Sequence, residues 1–146
     1  MGSSTNATTG YLKATLGEET WEASSVVLYQ GFGSFQVGGP EGGIAHKGVF
    51  FSLPDNIQPG VHKMNRATQV DGWFNPGENR NSWTTSGTDD NDTVTVHSVS
   101  VSESKIDMSF ECVVINRQSP EQRMRIYGDG KFEGASASNA APCKQP

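Results

Sequence analysis

The chain has 146 residues, a formal charge of −5 and a 34% share of apolar residues that includes three Trp, seven Phe and three Tyr. That is the size of one domain able to bury a core without metals or disulfides, and its aromatic content and modest charge argue against wholesale disorder. The acidic balance argues against a general nucleic-acid binder, which needs a basic face to displace counterions, and no apolar run reaches the roughly eighteen residues of a membrane-spanning helix.

Residues 1–9, small and polar, read as a flexible N-terminal segment, with no basic start or apolar stretch of an intact signal peptide. Tyr11–Leu16 reads as a first strand, Gly17-Glu18-Glu19 as its turn, and Thr20–Tyr29 as a second strand with Trp21, Ala23 and Ser25 on one face. Phe32–Val37 follows and is closed by the glycine-rich loop 38–43. Gly48–Leu53 is a continuous apolar run suited to a central strand, then come Val61–Met64 and Gln69–Phe74. Asn75–Asn81 and Asp89–Asp92 are polar loops.

In Thr93–Val101, Val94 and Val96 share one parity and Val99 and Val101 the other, which predicts a β-bulge at His97-Ser98. Lys105–Ile115 alternates with Ile106, Met108, Phe110, Cys112 and Val114 on one face and Asp107, Ser109 and Glu111 on the other. These inward residues should lead the core, with Trp21, Phe50, Val94, Ile126 and Phe132 packed against them. Met124 and Ile126 oppose Arg123 and Arg125, charges expected to protect an open strand edge, and Tyr127-Gly128-Asp129-Gly130 has the composition of a hairpin turn. The pattern predicts an all-β domain over residues 10–134, an antiparallel sandwich or flattened barrel of roughly eight to ten short strands, followed by an Ala/Ser-rich tail over 135–146.

Several of these pieces, in this order, resemble a class of uncharacterised bacterial β-sandwich proteins that are often exported or lipid-anchored. The likeness is carried by Leu16-Gly17-Glu18-Glu19-Thr20-Trp21-Glu22-Ala23, by Leu53-Pro54 with Gln58-Pro59-Gly60-Val61-His62, by Ser86-Gly87-Thr88 before Thr93–Val101, and by Gly130-Lys131-Phe132-Glu133-Gly134. It spans residues 10–134 and implies the fold and a periplasmic or cell-envelope location; a cytoplasmic location is the alternative. The class carries no established activity, so it assigns no residue a role.

Candidate chemistry is sparse. Cys112 points inward and Cys143 lies in the tail; they are either an inert thiol and a loose one, or a disulfide that pins the tail in an oxidising compartment. His46, His62 and His97 lack the spacing of a metal site, and neither a metal nor a cofactor is expected. Asp89, Asp90 and Asp92 have the composition of a calcium loop without its order, and suit an ordinary turn better. Trp73 and Trp83 flank a loop containing Asn75, Asn79 and Arg80, an arrangement suited to a glycan or protein partner, or to closing one end of the core. With no nucleophile elbow, phosphate loop or zinc helix motif, the expected function is a non-enzymatic, monomeric binding domain for a protein or glycan. A toxin-neutralising acidic protein is the alternative, and a small hydrolase comes third.

Overall fold

Side chains that alternate with a period of two require each strand to bury one face. The computed structural model, described for residues 8–31, 33–40, 47–77, 82–85 and 91–135, meets that requirement with strands and turns and no helix among these residues. In chain order the strands are β1 (Thr9–Leu16), β2 (Glu19–Glu22), β3 (Val27–Gly31), β4 (Ser34–Pro40), β5 (Gly48–Pro54), β6 (Gly60–Lys63), β7 (Asp71–Asn75), β8 (Trp83–Thr85), β9 (Thr93–Ser100), β10 (Lys105–Asn116) and β11 (Arg123–Glu133). They form one curled sheet in the order β2-β1-β11-β10-β8-β7-β5-β4-β3, with β9 on β10 and β6 on β9. The all-β architecture is as expected, with eleven strands where roughly eight to ten were predicted.

The curl brings the β3 edge back over β1 and β11, where side chains rather than a backbone ladder clasp the seam. Thr8 Oγ1 accepts from the Leu28 N–H at 3.1 Å and donates to the Gly134 carbonyl at 2.6 Å. Gln30 Nε2 donates to the Val101 carbonyl at 3.2 Å, and its Oε1 accepts from Ser104 Oγ. Inside lie Leu12, Leu28, Phe35, Phe51, Met108 and Phe132, all at most 1% exposed. Each such side chain contributes about 1.5–3 kcal/mol through burial, and Phe51 meets Phe110 with ring centroids 4.5 Å apart. Ile106, Met108, Phe110, Cys112, Val114, Trp21, Val94, Ile126 and Phe132 all belong to this core.

Phe50 does not. It is buried, but on the outer face, where its ring lies against Gly38 and stacks on Trp73 at 5.8 Å. The predicted bulge is present: Val96 pairs with Met108 and Ser98 with Asp107, leaving His97 as the extra residue.

Four expectations need correction. Gly38, Gly39 and Pro40, expected in a loop, continue β4 and pair with Phe50, Val49 and Gly48 of β5. The segment Thr20–Tyr29 is two strands, because Ala23 N–H donates to Leu12 while Ser24 N–H donates to Pro40, so the chain crosses between distant parts of the sheet there. Tyr127–Gly130 is not a turn but the middle of β11, paired with β1 on one side and β10 on the other. Its glycines serve packing: a Cβ on Gly128 would lie 2.0 Å from the Lys13 carbonyl oxygen, and one on Gly130 2.8 Å from the Phe132 ring. It follows that Arg123 and Arg125 protect no edge, since β11 is interior. Among the described strands the outermost positions fall to β2, β3 and β6, each of five residues or fewer, and short edges resist unwanted pairing.

One irregularity organises the sheet. The first part of β10 pairs with β9 as far as Glu111↔Thr93, and its end pairs with β8 from Val114↔Thr85. Between the two partners the Val113 N–H meets neither ladder, and a buried backbone donor must be satisfied. Asp92 does this: its Oδ1 accepts from Val113 N–H at 2.9 Å, and its own carbonyl accepts from Met64 N–H at 3.0 Å.

Candidate functional site

The structure separates the residues expected to form an aromatic-flanked site. Trp73 pairs with Phe50 and Thr84 and lies on the outer face, whereas Trp83 pairs with Phe74 and packs against the core from the inner face. The two indoles therefore form no shared platform. Asn75 lies on the outer face two residues from Trp73, and its Oδ1 accepts from Gly77 N–H at 2.9 Å, as an Asx turn does. Asp92 is 1% exposed and turned inward to the fork, so it faces no external ligand. Asn79, Arg80, Asp89 and Asp90 lie outside the described residues.

Cys112 is a free, buried thiol, and Cys143 lies outside the described residues, so the expected Cys112–Cys143 bond is not part of the structure described. Burial pushes the Cys112 thiol far above its ordinary range, with the charges of Asp92 and Glu111 adding to the effect. A thiol that keeps its proton is a poor nucleophile, and native Cys112 should resist alkylation until the protein unfolds. The linkage has a definite sign. The folded thiol holds its proton where the unfolded one, with a pKa of about 8.5, releases it, so stability falls as pH rises above that value, by at most about 1.4 kcal/mol per pH unit. Urea melts of wild type and Cys112→Val between pH 8 and 10 should diverge by this slope; parallel curves would exclude it.

Among the described residues no group of three His, Cys, Asp or Glu is placed to hold a metal ion, and no helix is long and apolar enough to cross a membrane. At the bulge, His97 Nε2 lies 3.2 Å from Ser109 Oγ, a contact between two side chains on the outer face.

A recess lies elsewhere, across β2, β1 and β11. It is an open groove of about 600 Å³. Its construction follows from register. The paired residues Trp21, Ala14 and Gly128 turn inward, so their backbone forms the floor. The adjacent rows turn outward and form the walls: Glu22, Lys13 and Asp129 on one side, Thr20, Thr15 and Tyr127 on the other. Alternate residues on a strand are about 7 Å apart and neighbouring strands about 4.8 Å, which sets the width of the groove and the pitch of its walls.

Three of the wall side chains, Tyr127, Asp129 and Lys13, meet side chains outside the groove. Arg125 places its guanidinium carbon 4.3 Å from the Tyr127 ring centroid and bonds Glu111 Oε2 through Nη2 at 2.6 Å and Nε at 3.1 Å. This hydrogen bond to Glu111 raises the Arg125 pKa. Tyr11 donates its hydroxyl to Asp129 Oδ2 at 2.9 Å, which raises the phenol pKa, and Lys13 Nζ lies 5.3 Å from the Tyr11 ring centroid. Tyr127 is 37% exposed, one of the few large apolar side chains that face solvent. This site is not legible in the sequence, because its parts at residues 13–22 and 127–129 lie far apart along the chain and carry no motif. Compared with known proteins, the chain matches no family model, no curated protein and no solved structure.

Proposed function

We propose that the chain is a non-enzymatic binding domain for a protein or glycan partner, and that the groove over β2, β1 and β11 is its recognition surface. One observation carries this reading: the groove walls are set with polar and aromatic side chains, of which Asp129 and Tyr127 meet partners behind them. Ordering a contact surface before the ligand arrives lowers the entropic cost of binding. The aromatic-flanked loops have weaker support, because Trp73 and Trp83 face opposite sides of the sheet. The toxin-neutralising alternative calls for an acidic concave face, whereas Lys13 stands here between Glu22 and Asp129. The resemblance to exported sandwich proteins supports an envelope location within the same proposal.

The test is to probe the full chain against arrays of glycans and of peptides, then repeat the measurement with Thr15→Trp, which fills the middle of the groove. Affinity for a specific ligand should fall by about tenfold or more. Undiminished binding by a folded Thr15→Trp protein would place recognition elsewhere.

A further inference from the structure

Resting on the binding-domain reading above, we infer that the groove takes a neutral, hydroxyl-rich ligand, an uncharged oligosaccharide segment, gripped between the Glu22–Lys13–Asp129 wall and Tyr127. The first ground is backbone bookkeeping. The groove runs across the strands, and its floor is already paired, Trp21 with Ala14 and Ala14 with Gly128. An extended peptide lying along the groove would run crosswise to the strands, at right angles even to the outer edge of β2, and so would extend no ladder. Recognition falls to side chains, and those of the two walls offer an ammonium, two carboxylates, two aliphatic hydroxyls and a phenol ring.

Charge supplies the second ground. Lys13 is paired in register with Glu22 on one strand and Asp129 on the other, so the central cation is flanked by a carboxylate residue on each side. An anionic ligand gains little from Lys13 beside two carboxylates, and a cationic ligand meets Lys13 itself. A neutral polyol meets neither penalty: its hydroxyls donate to carboxylates and accept from an ammonium at once.

The third ground is the opposite wall. Thr15 and Thr20 present methyl and hydroxyl groups beside Tyr127, whose ring carries Arg125 on one face and lines the groove. A pyranose likewise has an apolar C–H face and a polar rim. Wall separation of about 7 Å admits one sugar ring in thickness, and the walls extend across three strands, as a linear chain of rings requires.

The experiment is an NMR titration of the isotopically labelled full chain with four probes: neutral gluco- and xylo-oligosaccharides, an anionic uronic-acid oligomer and a short mixed-sequence peptide. Neutral oligosaccharides should shift the backbone amides of residues 13–15, 20–22 and 127–129. Tyr127→Ala should weaken that binding about tenfold, Tyr127→Phe should retain most of it, and Glu22→Gln and Asp129→Asn should each weaken it several-fold. Shifts at these amides caused by the peptide or the uronic-acid oligomer, and not by neutral sugars, would overturn the ligand class while leaving the binding reading intact. If neutral sugars bind but move amides elsewhere, the groove assignment itself fails. If none of the probes binds, the ligand class is overturned, and the glycan and peptide arrays decide separately on the binding function.

Discussion

Replacing Gly128 by alanine should cost about 3 kcal/mol or more and detach β1 from β11. The added Cβ would lie 2.0 Å from the Lys13 carbonyl oxygen and 2.7 Å from the Ala14 Cα, both backbone atoms that cannot rotate away. Relief requires the two strands to separate, and overpacking that moves backbone lies at the costly end of core substitutions. Urea denaturation reads the loss of stability. Hydrogen exchange distinguishes its cause, because amides of Thr9–Leu16 should lose protection while those of Lys105–Ile115 keep theirs relative to the global stability. Gly31 is the control: nothing lies within 4 Å of its would-be Cβ, and Gly31→Ala should change stability by less than about 1 kcal/mol. Equal effects at both positions would remove the steric account.

Asp92→Ala should cost about 2–4 kcal/mol, combining a lost hydrogen bond to a carboxyl group with a buried N–H left without its acceptor. The carboxyl is 1% exposed and accepts from Val113 N–H at the point where β10 changes partner from β9 to β8. Asp92→Asn retains an oxygen acceptor at that position and should lose clearly less. Thermal and urea unfolding of the two variants measure the difference; an alanine variant within about 0.5 kcal/mol of wild type would show that the fork needs no such support.

Much of this fold was readable from residue order, and the reasons are local. The alternation in Lys105–Ile115 names the inward face of β10 because a strand has only two faces, and the reversal between Val96 and Val99 locates the extra residue at His97. Where a longer-range contact decides, local pattern misleads. Tyr127-Gly128-Asp129-Gly130 has turn composition, but the backbone of β1 and the ring of Phe132 occupy the space that side chains at Gly128 and Gly130 would need. The alternation at Trp21, Ala23 and Ser25 continues through a crossing, since it does not specify which strand receives each hydrogen bond. The candidate site was less legible still. Parity cannot be counted through the loop between Trp73 and Trp83, and Asp92 looks like any turn aspartate until the fork appears beside it.

The union of β1 with β11 also sets a timetable. Tyr11 bonds Asp129 across 118 positions of chain, so β1 is synthesised well before its principal partner β11. Translation proceeds at about 5–20 residues per second, so Leu12 and Leu16 wait for seconds with their apolar faces unsheltered, and closing so long a loop makes this a late, slow contact. The meander β9-β10-β11, joined by short turns, can assemble first and offer β11 as a template. A nascent chain therefore has no groove until β11 has joined β1, and any ligand held there reports on a closed β1–β11 pair.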